Sequence, residues 1–236
     1  MKRSFALIAA CLALAGNAHA VDAYLFGYSN NSTVYNKLSI NDIETRVVNA
    51  GWYGDTGLHD VSKGADYLVG TCSSCAEEGL PGEYHNWFIV DLKDFTGLTP
   101  TTTDTVTLTL SPFYVTTAGT FKLWDYLGDI DDLPDDTPAD DPDGIAIYKD
   151  LGMGKPYGSF EYLGTEIATS YQTITLSADA IYDLNAAISI ARNGGETQWA
   201  IGGSFETTAP IPEPETYALM LAGLGLVGWM AKRRKA

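Results

Sequence analysis

The stretch 104–115, DTVTLTLSPFYV, decides the fold class of this chain. From 105 to 110 a threonine alternates with an apolar residue, which is Val106, Leu108 and Leu110 in turn. A repeat of two is that of a β-strand with one face buried and one face towards solvent. The stretch therefore predicts a strand at the edge of a hydrophobic core.

Short apolar or β-branched runs of the same kind lie on both sides of this strand, separated by Gly, Pro, Asp and Asn. They are TRVVNAGWYGDTG (45–57), DYLVGT (66–71), NWFIVDL (86–92), TFKLWDYL (120–127), YQTITLSA (171–178) and QWAIGGSF (198–205). Many short strands with turn residues between them are typical of all-β folds. We expect an antiparallel β-sandwich or jelly roll over residues 21–208.

One segment breaks the β pattern and predicts a single short helix. Ser177 is placed to cap its N-terminus, and Ile181, Leu184 and Ile188 follow at helical spacing. The sequence RNGG at 192–195 supplies the stop.

The N-terminus has the three parts of a secretory signal peptide. Lys2 and Arg3 precede an apolar run at 5–15, and the small-residue sequence AHA occupies 18–20. We expect residues 1–20 to be removed and the mature, exported chain to begin at Val21.

The body of the chain is strongly acidic. Of the 30 acidic residues, only Glu213 and Glu215 lie outside 21–210, and of the 14 basic residues six lie outside this range. Residues 21–210 therefore contain 28 acidic and 8 basic residues, which gives a net charge of −20. Such a body repels phosphate backbones, so its charge excludes nucleic acid as a partner.

The C-terminus predicts a membrane anchor for the precursor. Residues 217–231 are all apolar or small, and as a helix they would extend roughly 22 Å. Four basic residues follow and act as a stop-transfer signal that stays cytoplasmic: Lys232, Arg233, Arg234 and Lys235. The body would then lie beyond the inner membrane.

Pro212, Glu213 and Pro214 stand directly before this segment, and paired prolines hold the backbone extended. A Pro-Glu-Pro element, an apolar helix and a basic end, in that order over 209–236, resemble the PEP-CTERM sorting signal of Gram-negative bacteria. The resemblance implies recognition of Pro212, Glu213 and Pro214 by an exosortase, a membrane transpeptidase-like enzyme. It also implies sorting to the cell envelope or an extracellular polymer matrix. An ordinary membrane anchor after a Pro-rich stalk is the alternative.

A second resemblance covers approximately residues 66–205. The order of NWFIVDL, DTVTLTLSPFYV, FKLWDYL, IAIYKDLGMGKPYGS and LNAAISIARNGGETQWAIGGSF is similar to the ectodomains common among PEP-CTERM proteins. These resemble jelly-roll carbohydrate-binding modules in outline, which implies a β-sandwich with a non-catalytic role.

Cys72 and Cys75 are the only cysteines after the predicted signal peptide, and two residues separate them. In an exported chain this spacing favours a local disulfide. A redox pair or a metal site are the alternatives, although no βαβ pattern surrounds the pair.

The segment 128–144, GDIDDLPDDTPADDPDG, is a candidate calcium site. Its aspartates, of which Asp129, Asp131, Asp141 and Asp143 are the candidates, offer the oxygen ligands that calcium prefers. An EF-hand is excluded because Ala139 occupies the first ligand position and no flanking helices are expected. A solvated, mobile loop is the alternative.

Trp124 and Tyr126 are candidates for binding carbohydrate, because both fall on the same face of a predicted strand, opposite Phe121 and Leu123. A flat aromatic ring stacks on the apolar face of a sugar. The alternative is that these rings belong to the core.

No nucleophile elbow, zincin motif or P-loop occurs in the sequence. We therefore expect a non-enzymatic surface or matrix protein, associated with exopolysaccharide or biofilm and without a cofactor other than calcium. A carbohydrate- or calcium-dependent binding module is the alternative, followed by a polysaccharide hydrolase.

Overall fold

The computed structural model describes residues 22–28, 36–60, 66–77, 79–111, 114–166 and 171–207. Strands dominate the described residues, and their bounds are β1 Ala23–Tyr28, β2 Lys37–Ile40, β3 Ile43–Gly54, β4 Asp66–Thr71, β5 Glu83–Asp91, β6 Val106–Leu110, β7 Tyr114–Val115, β8 Ala118–Asp125, β9 Pro156–Leu163, β10 Gln172–Thr175 and β11 Gln198–Thr207. The helices are α1 Ser73–Glu77, α2 Pro142–Leu151 and α3 Ala178–Arg192, with 3₁₀ turns at Lys93–Phe95 and Ile130–Asp132.

Within the described residues the strands form one antiparallel sheet of 11 strands. Its main path runs β10-β6-β2-β3-β5-β11-β8-β9, and β1, β4 and β7 branch from it through β5. The long strand β3 holds the path together, because Ile43 to Arg46 pair with β2 whereas Val47 to Gly54 pair with β5. A bulge between Val47 and Asn49 lies where β3 changes partner, which is where a strand can turn between two directions.

The strands on the β2 side of β3 and those on its β5 side both contribute to the main hydrophobic core. Leu38, Leu108 and Ile174 come from β2, β6 and β10, and all are buried. Phe88 and Phe121, from β5 and β8, belong to the same cluster. The inward side chains of strands that are distant along the path therefore pack together.

The two ends of the main path lie beside each other. The amide of Ser177, just after β10, donates to the carbonyl of Tyr157 in β9 at 2.7 Å. The hydroxyl of Ser177 donates to the carbonyl of Pro156 at 2.8 Å. The sheet thus curls until its edge strands almost meet, and the core lies inside.

The predicted helix is confirmed as α3. The side chain of Ser177 accepts a hydrogen bond from the amide of Ala180, as an N-cap does. Ile181, Leu184 and Ile188 are buried in the main core, and the helix ends at Arg192 before Asn193.

The expectation of one helix, and of none beside the acidic segment, is wrong because α2 begins inside that segment. Asp141 accepts hydrogen bonds from the amides of Asp143 and Gly144, and Pro142 occupies the first turn. An Asp cap followed by Pro is a start signal that the surrounding aspartates concealed. Leu151, at the end of α2, is buried in a second cluster on the outer face of β5.

The prediction of an antiparallel β fold is confirmed, because strands dominate the described residues and form one large antiparallel sheet. That this sheet folds into the two packed layers of a sandwich or jelly roll stays a prediction. All seven runs identified in the sequence contain strand residues; β6, for instance, covers the alternating threonine segment. Within the described ranges no helix combines the length and apolar character needed to cross a membrane. The predicted signal peptide and the apolar segment 217–231 lie outside the described residues.

Candidate functional site: an acidic cavity at the end of β8

A cavity of about 430 Å³ opens where β8 ends and the chain continues to α2. Six carboxylates and one aromatic ring dominate its wall. The lining residues are Tyr126, Gly128, Asp129, Asp132, Asp135, Asp136, Thr137, Pro138, Asp141, Asp143, Ala146 and Ile147. We call this feature the acidic cavity, and the segment 126–141 the acidic loop.

The acidic loop is fastened by hydrogen bonds to the main chain of the segment that follows β3. His59 and Thr137 form an isolated β-bridge with two hydrogen bonds of 3.0 Å. The amide of Asp140 donates to the carbonyl of Thr56 at 2.7 Å. The hydroxyl of Thr137 donates to the carbonyl of Gly57 at 2.7 Å. These contacts hold the loop against the body of the protein.

Side chains from the core also support the loop from below. The hydroxyl of Tyr53 donates to the carbonyl of Asp132 at 3.0 Å, and Leu133 is fully buried beside it. Tyr53, Leu133 and Leu151 belong to one cluster together with Trp87. The loop therefore rests on a hydrophobic base, although aspartates cover its outer side.

Two of the predicted calcium ligands already serve the backbone. Asp129 caps the 3₁₀ turn and accepts a hydrogen bond from the amide of Asp131 at 3.1 Å. Asp141 caps α2 through the amides of Asp143 and Gly144 at 2.9 and 3.0 Å. Each carboxylate has a second oxygen beyond the one in these bonds, so capping and cation binding are chemically compatible.

The structure brings only part of the predicted site together. Tyr126, Asp129, Asp141 and Asp143 all line the acidic cavity, whereas Asp131 is not among its lining residues. Within the described ranges no group of three or more His, Cys, Asp or Glu side chains is arranged to hold a metal ion. Calcium binding stays a prediction.

The two predicted carbohydrate-binding rings have different surroundings. Trp124 is half-buried, is not among the cavity's lining residues, and donates from Nε1 to the hydroxyl of Ser204 at 2.8 Å. Tyr126 is half-buried at the cavity wall and donates from its hydroxyl to the carbonyl of Asp129 at 3.1 Å. Carbohydrate binding stays a prediction for both, and only Tyr126 borders the carboxylates.

Burial raises the pKa of Tyr126 far above its ordinary value, and the nearby carboxylates of Asp150, Asp132 and Asp129 add to this shift. Burial likewise raises the pKa of Tyr53. Both phenols therefore remain neutral hydrogen-bond donors throughout the physiological pH range.

His59 is a site residue that the sequence did not reveal. Its ring is buried, stacks on Tyr53 at 4.9 Å between centroids, and meets Trp52 and Trp87 edge to face at 5.9 and 6.1 Å. Burial lowers its pKa, and this outweighs a hydrogen bond to the Trp52 backbone and the charges of Asp136, Asp60 and Asp135, which raise it. A neutral histidine thus lies under the acidic loop.

The disulfide prediction is confirmed, because Cys72 and Cys75 are bonded and their Cα atoms lie 5.3 Å apart. Asp22 braces the same turn by accepting hydrogen bonds from the amide of Ser73 at 2.6 Å and the hydroxyl of Ser74 at 2.8 Å. These hydrogen bonds lower the pKa of Asp22, and the bond from the Ser74 hydroxyl has the largest effect. None of these residues is among those that line the acidic cavity.

The predicted sorting residues Pro212, Glu213, Pro214 and Lys232, Arg233, Arg234 and Lys235 lie outside the described residues. Their sequence is nevertheless informative, because residues 210–235 match the family described as the PEP-CTERM protein-sorting motif. No curated protein and no solved structure shows a significant match to the chain.

The chain therefore carries a PEP-CTERM sorting signal, and the resemblance inferred from its C-terminus is confirmed. This signal implies export, a membrane-anchored precursor and processing by an exosortase. The roles of the individual motif residues stay predictions.

Proposed function

We propose that this protein is a non-enzymatic component of the cell envelope or of an extracellular polysaccharide matrix, and that it reaches this location after exosortase removes its C-terminal tail. One observation carries the proposal, namely the position of the sorting motif relative to the fold. The last strand, β11, ends at Thr207, and the motif begins at residue 210.

β11 lies in the interior of the sheet, where it pairs with β5 on one side and β8 on the other. All 11 strands of the described sheet precede the motif, so cleavage within the motif leaves every strand pair intact. A processed chain would therefore retain the complete fold, as a protein that works after release from its anchor requires.

Mass spectrometry of the C-terminal peptide from fractionated cells and culture medium tests this proposal. We expect a C-terminus near Pro212 to Glu215 in the outer fraction, and full-length precursor in the inner membrane. The Glu213→Ala variant should accumulate as precursor with a folded domain, whereas Glu196→Ala serves as a control outside the motif. An intact Ala236 in every fraction would contradict the proposal.

A second candidate function is binding of calcium or a carbohydrate in the acidic cavity. The specific observation in its favour is that the acidic loop and the first turn of α2 bring Tyr126 and six aspartates, from positions up to 17 residues apart, to one cavity. Carboxylates accept hydrogen bonds from sugar hydroxyls and also ligate calcium.

Isothermal titration with calcium, and retention on immobilised matrix polysaccharide, test this second function. Binding that weakens in the double variant Asp135→Asn, Asp136→Asn and persists in Asp179→Asn would support it. Asp179 is exposed in the first turn of α3 and is not a cavity residue, so this variant controls for the loss of a carboxylate charge elsewhere on the surface. Equal binding by all three proteins, or none by the wild type, would refute it.

A further inference from the structure

The strand register places the end of the fold that bears the sorting tail. Thr207, the last residue of β11, pairs with Gly119 in β8, and Ala118 pairs with Leu163 at the end of β9. The start of β8, the end of β9 and the end of β11 therefore lie side by side. We call this region the tail-proximal end.

Exposed apolar side chains lie at the tail-proximal end. Leu163 is 74% exposed and Tyr114 is 53% exposed. Tyr114 belongs there because it precedes β8 by four residues, and because its ring lies 6.2 Å from that of Tyr24. The amide of Tyr24 donates to the hydroxyl of Thr116 at 2.8 Å, and the amide of Thr116 donates to the carbonyl of Tyr24 at 3.0 Å.

The acidic cavity lies at the opposite end of the same strands. Along β8, Gly119 is opposite Thr207, whereas Asp125 is opposite Ile201. These two positions are six residues apart, or about 20 Å in a strand, and Tyr126 of the cavity follows Asp125 directly. The six carboxylates of the cavity therefore lie at the end of β8 opposite to the tail-proximal end.

The tail is short compared with the fold. Nine residues, 208–216, separate Thr207 from the apolar segment that begins at Tyr217. Ten steps of extended chain reach at most about 35 Å, while a compact domain of this length has a radius of gyration of roughly 16 Å. The anchored domain consequently stays within about one diameter of the bilayer, and the tail-proximal end is the end that carries the tether.

We propose that, in the membrane-anchored precursor, the tail-proximal end contacts the headgroup region of the bilayer through Tyr114 and Leu163. This inference rests on the anchored precursor of the proposed function. Tyrosine is enriched at membrane interfaces, where its ring lies among headgroups and its hydroxyl stays hydrated. The contact orients the domain with the acidic cavity outward.

The charges at the tail-proximal end indicate which kind of lipid headgroup it can contact. Glu161, Glu166 and Glu206 lie beside Leu163 and Thr207, and Lys122 pairs with Glu206. Glu166 accepts a hydrogen bond from the amide of Leu163 at 2.7 Å, and its charge therefore lies next to that side chain. Carboxylates repel an anionic surface, so the partner is a zwitterionic headgroup and not an anionic one.

Fluorescence quenching in vesicles tests the orientation. Full-length precursor in a Cys11→Ser background would carry a thiol-reactive fluorophore at Leu163→Cys or, as a matched control, at Leu127→Cys, which is 78% exposed and follows the cavity end of β8. In phosphatidylcholine vesicles with a spin-labelled lipid we expect severalfold stronger quenching at position 163 than at position 127. Equal quenching at both positions would overturn the proposal.

A second pair of proteins separates side-chain contact from tethering alone. A label at Ala118→Cys, which is exposed at the same end, should be quenched, and should lose most of this quenching when Tyr114→Ser and Leu163→Ser are added. Both substitutions are at exposed positions, so the fold should persist. Unchanged quenching would show that the tether alone holds the domain near the membrane, and the proposal would fall.

Further controls separate the failure of this inference from that of the proposed function. Flotation with the vesicles reports the anchor, and a precursor that does not float would refute the anchored state on which both depend. A floating precursor without preferential quenching at position 163 refutes only the membrane contact. Quenching that requires added exosortase would instead assign the surface to the enzyme. Partial replacement of phosphatidylcholine by phosphatidylglycerol should weaken the quenching.

Discussion

His59 and Thr137 exchange two backbone hydrogen bonds of 3.0 Å and thereby fasten the acidic loop to the segment that follows β3. The bridge joins residues that are 78 positions apart in the sequence. Asp135 and Asp136 lie directly before Thr137, and Pro138 lies directly after it, and all three line the acidic cavity. The shape of this cavity therefore depends on a contact with a buried histidine in the segment that follows β3.

Removing the Tyr53 hydroxyl should loosen the acidic loop. It donates to the carbonyl of Asp132 at 3.0 Å, so Tyr53→Phe should lower the free energy of unfolding by about 1 kcal/mol. Urea unfolding and limited proteolysis of the loop would measure the effect. Tyr182→Phe is the control, because Tyr182 is 75% exposed. Equal stability of the two variants would show that the Tyr53 bond is unimportant.

Stability should fall on mild acidification because of His59. Burial lowers its pKa below the ordinary value of 6.5, so the unfolded chain binds a proton at a pH where the folded protein does not. The stability is complete above about pH 6.5 and is lost as the pH falls from there towards the folded pKa, with a slope of at most about 1.4 kcal/mol per pH unit.

The His59→Gln variant should show a shallower loss of stability than the wild type over this pH range. Some slope should persist, because burial also lowers the pKa of His85. The carboxylates of Asp22 and Asp104, whose pKa values hydrogen bonds lower, contribute only below about pH 5. Parallel curves of unfolding free energy against pH for the two proteins would contradict the assignment to His59.

Loss of the Asp141 cap should destabilise α2. The Asp141 carboxylate accepts the amide hydrogen bonds of Asp143 and Gly144, so Asp141→Ala should cost about 1 kcal/mol of unfolding free energy. Asp141→Asn keeps a capping oxygen while it removes the charge, and should retain most of the stability. If both variants lost the same stability, charge and not capping would be the cause.

A methyl group at Gly152 should disturb the packing of α2 on β5. A Cβ there would lie 1.9 Å from Cε1 of His85. That ring cannot easily move, because it stacks on Tyr148 at 4.1 Å and its Nδ1 lies 2.6 Å from the Tyr148 carbonyl. Gly152→Ala should therefore cost about 1–3 kcal/mol of unfolding free energy.

Thermal unfolding would measure this effect, with Gly97→Ala as the control. No atom lies within 4 Å of a Cβ at Gly97, so that substitution should leave the melting temperature almost unchanged. A Gly152→Ala protein with wild-type stability would show that His85 and α2 can rearrange without cost.

The main elements of the fold could be predicted because their signals are local. The alternation around Leu108 indicated β6, and Ser177 with the spacing of Ile181, Leu184 and Ile188 indicated α3. By contrast, α2 was missed because a dense run of aspartates is typical of a solvated segment. In the structure one of these aspartates, Asp141, caps the helix instead of facing solvent alone.

The candidate site could be predicted only in part. The aspartates and Tyr126 were identified by their chemistry, but Trp124 and Asp131 do not line the cavity. Side-chain alternation along β8 placed Trp124 and Tyr126 on one face, yet β8 ends at Asp125, so the strand period no longer applies to Tyr126. The position of His59 under the acidic loop could not be predicted, because its burial depends on rings from β3 and β5.

By itself the sequence determined the strand class, the helix α3, the Cys72–Cys75 disulfide and the C-terminal sorting signal. Each depends on residues within a few positions of one another, so periodicity, spacing or a linear motif suffices. Only the tertiary structure decided that β3 joins the two parts of one sheet and that His59 meets Thr137. Such pairings between distant residues are selected by the packing of the whole core, which no local pattern encodes.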